Sequence, residues 1–247
     1  MRKALTNKEI YEITEEFYSK LIGTELKGIS DGIHFVCSEE RDKEVKGLGA
    51  KYTIIIFVKG EALIVVYSPK HAGFIETLKG QDKDTIIRAV SDKYKLLQMH
   101  YMIFGGEIIT DYGKARVLKA EDYPMYEEFF RITEPEADPT GWLQEYFEEK
   151  AAKEYFVGVV DNGKLLAVCD APDVPFMEDM IQHTGIMTLK SERRKGYATN
   201  AAAYAAHHLI EIGVCPQWEC TVKNEASYNL SKHIGYKDYG LAYILEE

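Results

Sequence analysis

What this chain lacks narrows what it can be. It has no excess of positive charge: 40 acidic residues stand against 30 basic ones, a net charge of −10. A nucleic-acid coat needs a basic face, so no nucleic-acid partner is expected. No apolar run approaches the roughly 20 residues needed to span a bilayer. The opening MRKALTNKEIYEITEEF has no apolar heart of a signal peptide. A cytoplasmic protein without a membrane partner is the expectation. The four cysteines, Cys37, Cys169, Cys215 and Cys220, show no C-x-x-C spacing, so no metal is expected. Reduced thiols suit a chain too large to need disulfide staples. Repeats and low-complexity tracts are absent. So are the G-x-x-x-x-G-K-[ST] loop and the G-x-G-x-x-G fingerprint, which removes the two commonest nucleotide-phosphate motifs.

What is present is ordinarily globular. The 247 residues are 46% hydrophobic and 28% charged, enough for one large domain or two small ones. Ile10, Ile13, Phe17 and Leu21 recur at helical spacing, with Thr6 or Asn7 as cap. TIIIFVKGEALIVVY, from Thr53 to Tyr67, reads as a hairpin about Lys-Gly-Glu. Short helices over Pro69–Leu78 and Lys83–Ser91 precede a buried strand over Lys95–Phe104. Gly105-Gly106 and Tyr112-Gly113 then break the chain, and a boundary is placed there. The expectation is a mixed α/β N-terminal domain over 1–112 and a second domain over 113–247.

The second half starts with a strand at Ala115–Leu118 and a helix from Glu121. Thr140 is expected to cap a helix over Gly141–Lys153. Strands Tyr155–Val160 and Lys164–Cys169 flank an Asp161-Asn162-Gly163 turn. Next come a strand over Thr184–Leu189, a helix over Gly196–Ile212, a strand over Trp218–Val222, a helix over Glu225–His233 and a last strand over Gly235–Leu245. From Glu121 to Glu154 there are 11 acidic residues and three basic ones. That is a solvated helix face, and also a rim that attracts cations.

One stretch stands out: SERRKGYATNAAAYAAHHLIEIG, from Ser191 to Gly213. Three cations precede one glycine at the start of a helix, where the macrodipole disfavours positive charge. Loop N–H groups and the helix N-terminus form a nest for an anion, and a pyrophosphate is its natural occupant. Gly196 lets the backbone approach, Ala198 keeps the first turn open, and Arg193, Arg194 and Lys195 add mobile cations.

Arg193-x-x-Gly196-x-Ala198 resembles the acyl-CoA loop of the GNAT N-acetyltransferases, [QR]-x-x-G-x-[GA]. IMTLKSERRKGYAT resembles that family's fourth strand and pyrophosphate loop. WECTVKNEASYNLSKHIGY resembles the family's next strand and helix, with Asn224, Ser227, Leu230, Gly235 and Tyr236 in place. ARVLKAEDYPMYEEF looks like the first strand and helix. The resemblance covers about residues 113–247, in the manner of bacterial members with an extra N-terminal domain. It implies an α/β (α+β) fold with a mixed, splayed central sheet flanked by helices. It also implies acetyl-CoA as co-substrate, lying between the strands Gly185–Leu189 and Trp218–Val222. Backbone groups near Met187, Thr188 and Leu189 would pair with the pantetheine arm. Arg193, Arg194, Lys195, Gly196, Tyr197, Ala198, Thr199, Asn224 and Ser227 complete the implied cofactor site.

The resemblance implies direct attack by an amine, which gains from a general base. The family often places a Glu on the fourth strand; here Gln182 and His183 stand nearby, so His183 is the base candidate. The family's tyrosine acid is replaced by Ser231, with Tyr228 one turn earlier as its substitute. A small-molecule amine, cationic in character, is the expected acceptor, and a homodimer is left open. The alternatives are an impaired CoA-binding sensor or partner module, and a protein-modifying acetyltransferase.

Overall fold

In the computed structural model, residues 3–106 and 109–247 are described. The chain opens with α1 (Asn7–Ile22), started by a Thr6–Glu9 capping box and ended at Gly23 in the left-handed region. Its periodic face, Ile10, Phe17, Tyr18 and Leu21, is buried. Then come β1 (Asp31–Cys37), β2 (Glu44–Val45), β3 (Ala50–Lys59) and β4 (Glu61–Tyr67). The β3–β4 hairpin is the expected one. Strand β1 was not foreseen: it is half-exposed, and it runs parallel to β4 along the sheet edge, so it carries no strong apolar alternation. Helices α2 (Ala72–Ile75) and α3 (Lys83–Lys93) lead to β5 (Leu97–Phe104).

The second half holds β6 (Ala115–Val117), α4 (Tyr123–Thr133), α5 (Leu143–Ala152), β7 (Val157–Asp161) and β8 (Lys164–Asp170). Thr140 does not cap α5. Trp142 holds the N-cap position without a side-chain bond, and Thr140 instead donates its N–H to Asp138. After β8 come β9 (Ile181–His183), β10 (Gly185–Thr188), α6 (Tyr197–Glu211), β11 (Cys215–Gln217), β12 (Glu219–Thr221), α7 (Glu225–His233) and β13 (Tyr236–Glu246).

Among the described residues these strands form three sheets. Strands β10, β8, β7 and β6 make an antiparallel four-stranded sheet in that order. A larger sheet runs β1-β4-β3-β13-β5-β12, with β2 on β3. A short parallel pair, β11 with β9, lies between them. The division expected after residue 112 does not divide the larger sheet. Strand β13 lies between β3 and β5, pairing with both along most of its length. The N-terminal segment thus supplies both neighbours of the last strand, and β5 also pairs with β12. The physical reason is edge satisfaction: two apolar strands otherwise left with open edges close against each other.

Side-chain alternation assigns the faces. Leu166 and Val168 of β8 pack against α4 and α5 with Tyr126, Phe147 and Phe156. Ala167 and Cys169, on the opposite face, meet Ala201 and Ala205 of α6. In the larger sheet Ile55, Phe57, Ile64 and Val66 share a core with α1. Ile54, Ile56, Leu63 and Val65 pack against α2 and α3. Cys215 faces Thr14 of α1, 3.5 Å from its hydroxyl, so α1 covers the same face of the split region that α4 and α5 cover farther along.

Candidate active site

The site begins where two parallel strands part. Ile181, Gln182 and His183 pair with Cys215, Pro216 and Gln217, and Thr184 donates its N–H to Gln217 O at 3.1 Å. Beyond that point β10 turns into one sheet with β8, and β12 into the other with β5. Each strand therefore keeps one edge open to the gap.

Register decides which groups face it. Leu189 N–H bonds to Leu166 O, so Gly185, Met187 and Leu189 spend their backbone groups on β8. The backbone groups of Ile186 and Thr188 point into the gap. This corrects the expectation for Met187 and Leu189, which sit one residue out of phase, and keeps Thr188. On the far side Met102 donates to Trp218 O and Val222 donates to Gln98 O. Glu219 and Thr221 thus turn their backbone groups to the gap.

At the end of β10 the chain makes a turn over Lys190–Glu192 and enters α6. Arg194 and Gly196 both lie at positive φ, 67° and 87°. Gly196 is the N-cap of α6, and no side chain caps that helix. A Cβ at Gly196 would meet open space, so the glycine is needed for its backbone angle and not for room. Arg193, Arg194, Lys195 and Gly196 are exposed, while Tyr197, Ala198 and Thr199 are half-buried in the first turn. Lys195 pairs with Glu192 at 2.9 Å. Arg193 reaches only Thr188 O, at 3.4 Å. The two arginines are held by no carboxylate among the described residues, and uncapped N–H groups stand beside them. That is the chemistry of an anion cradle.

The face covered by α1, α4 and α5 carries the titratable groups. His183 and Gln217 are register partners on it, and Gly185 and Glu219 lie two residues later. Asp170 is the β8 partner of Gly185, and Tyr101 is the β5 partner of Glu219. One row across the sheets therefore reads Asp170, Gly185, Glu219, Tyr101. The missing side chain at Gly185 matters: a Cβ there would stand 1.9 Å from Asp170 Oδ1. Asp170 leans over that strand toward the gap.

Burial sets the protonation states. It raises Glu219 to about 7, opposed by a hydrogen bond from Gln217. It raises Asp170 to about 6, opposed by its own backbone N–H. It pushes His183 down to about 4. All three are deep in the protein yet only half-covered, as groups lining a cleft are. Among the described residues, Glu219 Oε1, Gln217 Oε1 and His183 Nδ1 have no hydrogen-bond partner. Unpaired buried polar atoms are costly, so three around one gap mark a place that receives a polar ligand. The floor beneath Glu219 comes from the N-terminal half. Tyr18 stacks on Tyr101 with ring centres 4.7 Å apart, donates to Met102 O and accepts from Gln217 Nε2.

Other expected residues fall elsewhere. Ser231 is fully buried, and its hydroxyl donates to Tyr228 O at 2.8 Å one turn back. It has no proton free for a leaving group. The Tyr228 hydroxyl donates to Asp238, and its ring lies 4.2 Å from that of His100. Asn224 caps α7 by accepting from Ser227 N–H, and Ser227 Oγ accepts from the Trp218 indole at 3.1 Å. Glu219 and Asp170 were not singled out from the sequence. The available signal was a lone acid closing or interrupting an apolar strand: LLAVCD and PQWEC.

A family model described as acetyltransferase (GNAT) family matches residues 122–236. No curated protein matches the chain. A GNAT-family acetyltransferase from Colwellia psychrerythraea superposes with a TM-score of 0.50 at 16% identity, over 60% of this chain and 55% of that one. The likeness is one of fold, and the chain spans about half the length of that relative. A GCN5-related N-acetyltransferase-like protein from Streptococcus suis aligns over 96% of this chain and 99% of that one, with 13% identity and a TM-score of 0.46. A GCN5-related N-acetyltransferase from Kribbella flavida aligns over 75% and 68%, with 16% identity and a TM-score of 0.43. Among the described residues no group of side chains could hold a metal, and no helix is long and apolar enough to cross a membrane.

Proposed function

Residues 122–236 match the GNAT acetyltransferase family, and from that premise we propose that this chain moves an acetyl group from acetyl-CoA to an amine by direct attack on the thioester. Acetyl-CoA supplies the activated acyl group when bound; the chain's residues do the rest. The α6 N-terminus, with Arg193 and Arg194, neutralises the pyrophosphate. The open backbone edges of Ile186 and Thr188 orient the arm attached to it. Alkylammonium groups ionise near pH 10.4, so only about one amine in ~10³ is neutral at pH 7. A base is therefore valuable, and Glu219 fits the role better than His183. A carboxylate at about 7 is poised at the working pH, whereas an imidazole at about 4 is a weak proton acceptor there. No acid is assigned, since a departing thiolate is stable enough to leave unassisted.

The observation that carries this reading is the parting of β9 and β11 into two open edges directly before an uncapped, arginine-flanked helix. Calorimetric titration with acetyl-CoA tests it. The wild type is expected to bind, and the double variant Arg193→Glu, Gly196→Glu to lose binding. Equal affinity in the two proteins, or none in the wild type, overturns the assignment.

A further inference from the structure

A cavity of about 250 Å³ lies between α4 and the face of β8 and β10, one strand from the gap. Tyr126, Phe129 and Phe130 form its aromatic wall, Met187 closes the β10 side, and Asp170 and Glu134 are its acids. Two larger hollows, of about 720 and 780 Å³, are surface grooves along α4–α5 and α1 and contain no residue of the split strands. The small cavity has the volume of roughly eight waters, room for a short alkyl chain.

Asp170 is the unusual part of this lining. It is deep, and no lysine or arginine among the described residues pairs with it. Its row partner Gly185 offers no side chain, and the phenols of Tyr126 and Tyr146 are raised by burial and then by the Asp170 charge. An uncompensated buried carboxylate is costly, and an ammonium offsets that cost. Aromatic faces attract the same cation. A neutral apolar occupant would satisfy the rings and leave the carboxylate unpaired. We propose that this cavity is a subsite for a second ammonium group of the acceptor, held by Asp170 against Tyr126, Phe129 and Phe130, so that the acceptors are diamines. The inference rests on the acetyltransferase reading for its second amine, the one that reacts. Asp170 and Glu219 lie in one row with β10 and the gap between them, two strand spacings or more apart, roughly 10 Å at the least. A span of about five carbons joins Asp170 to the Glu219 level.

The test compares 1,5-diaminopentane with 1-aminopentane on the full-length protein, wild type and Asp170→Asn. Binding is read by calorimetry without acetyl-CoA, and kcat/KM by release of CoA thiol. The diamine is expected to bind the wild type roughly ten-fold or more tightly than the monoamine, the scale of one charge-assisted hydrogen bond. Asp170→Asn should bring that ratio close to one. A ratio near one in the wild type, or one that Asp170→Asn leaves unchanged, overturns the subsite. If thiol release proceeds equally with both amines, the subsite fails while the transferase reading stands. If no amine releases thiol but diamine binding still depends on Asp170, the transferase reading fails and the subsite stands. Thr133→Lys tethers an ammonium to the cavity wall; it should abolish the same ratio and covers the case in which Asp170→Asn does not fold.

Discussion

Replacing Glu219 by Gln perturbs a carboxylate that burial places near the working pH. Its carboxyl moves from an ordinary 4.5 to about 7, a rise of about 2.5. At about 1.4 kcal/mol per unit, that is about 3 kcal/mol. The sign is set by proton uptake. The folded state holds the proton more tightly than the unfolded one, so this contribution to stability is complete below pH 4.5. It is lost as pH rises through 7. Glu219→Gln should therefore gain stability over the wild type as pH rises, with no gain below pH 4.5. For a chain of this size about 3 kcal/mol corresponds to roughly 6–12 °C in Tm at pH 8. Activity should move the other way. The wild-type kcat/KM should rise with pH through about 7 as the base ionises. Glu219→Gln should lose that rise and fall by ~10²–10⁴ at pH 8. Thermal melts from pH 4 to 9 and thiol-release rates over the same range check both halves. An unchanged pH profile in the variant refutes the base. A Tm difference that does not change with pH refutes the burial argument.

Two further expectations concern other parts of the molecule. His183→Ala should leave the position of the rise near pH 7 unmoved, because an imidazole at about 4 has already lost its proton there; a shift of that limb by a full unit would return His183 to the base role. A fragment over residues 113–247 should not fold cooperatively, since β13 loses β3 and β5 on its two sides and β12 loses β5; circular dichroism showing a cooperative melt would refute that.

The sequence by itself determined the local pieces. Thr6 and Glu9 write the start of α1, the apolar runs about Lys-Gly-Glu write the β3–β4 hairpin, and Asn162-Gly163 writes the β7–β8 turn at φ 49° and 74°. Arg193-x-x-Gly196 marked the anion cradle, because a left-handed glycine at a helix start and uncommitted cations are properties of neighbouring residues. Only the tertiary structure decided which backbone groups face the gap. Residues 186 and 188 differ from 187 and 189 by a register that Leu166 fixes from another strand. It also decided that β13 lies inside the N-terminal sheet, a pairing between residues some 190 positions apart. Glu219 became the base candidate for the same reason. Its proton affinity is set by burial, opposed by a hydrogen bond from Gln217 of β11, and desolvation by distant residues leaves no mark on the local sequence.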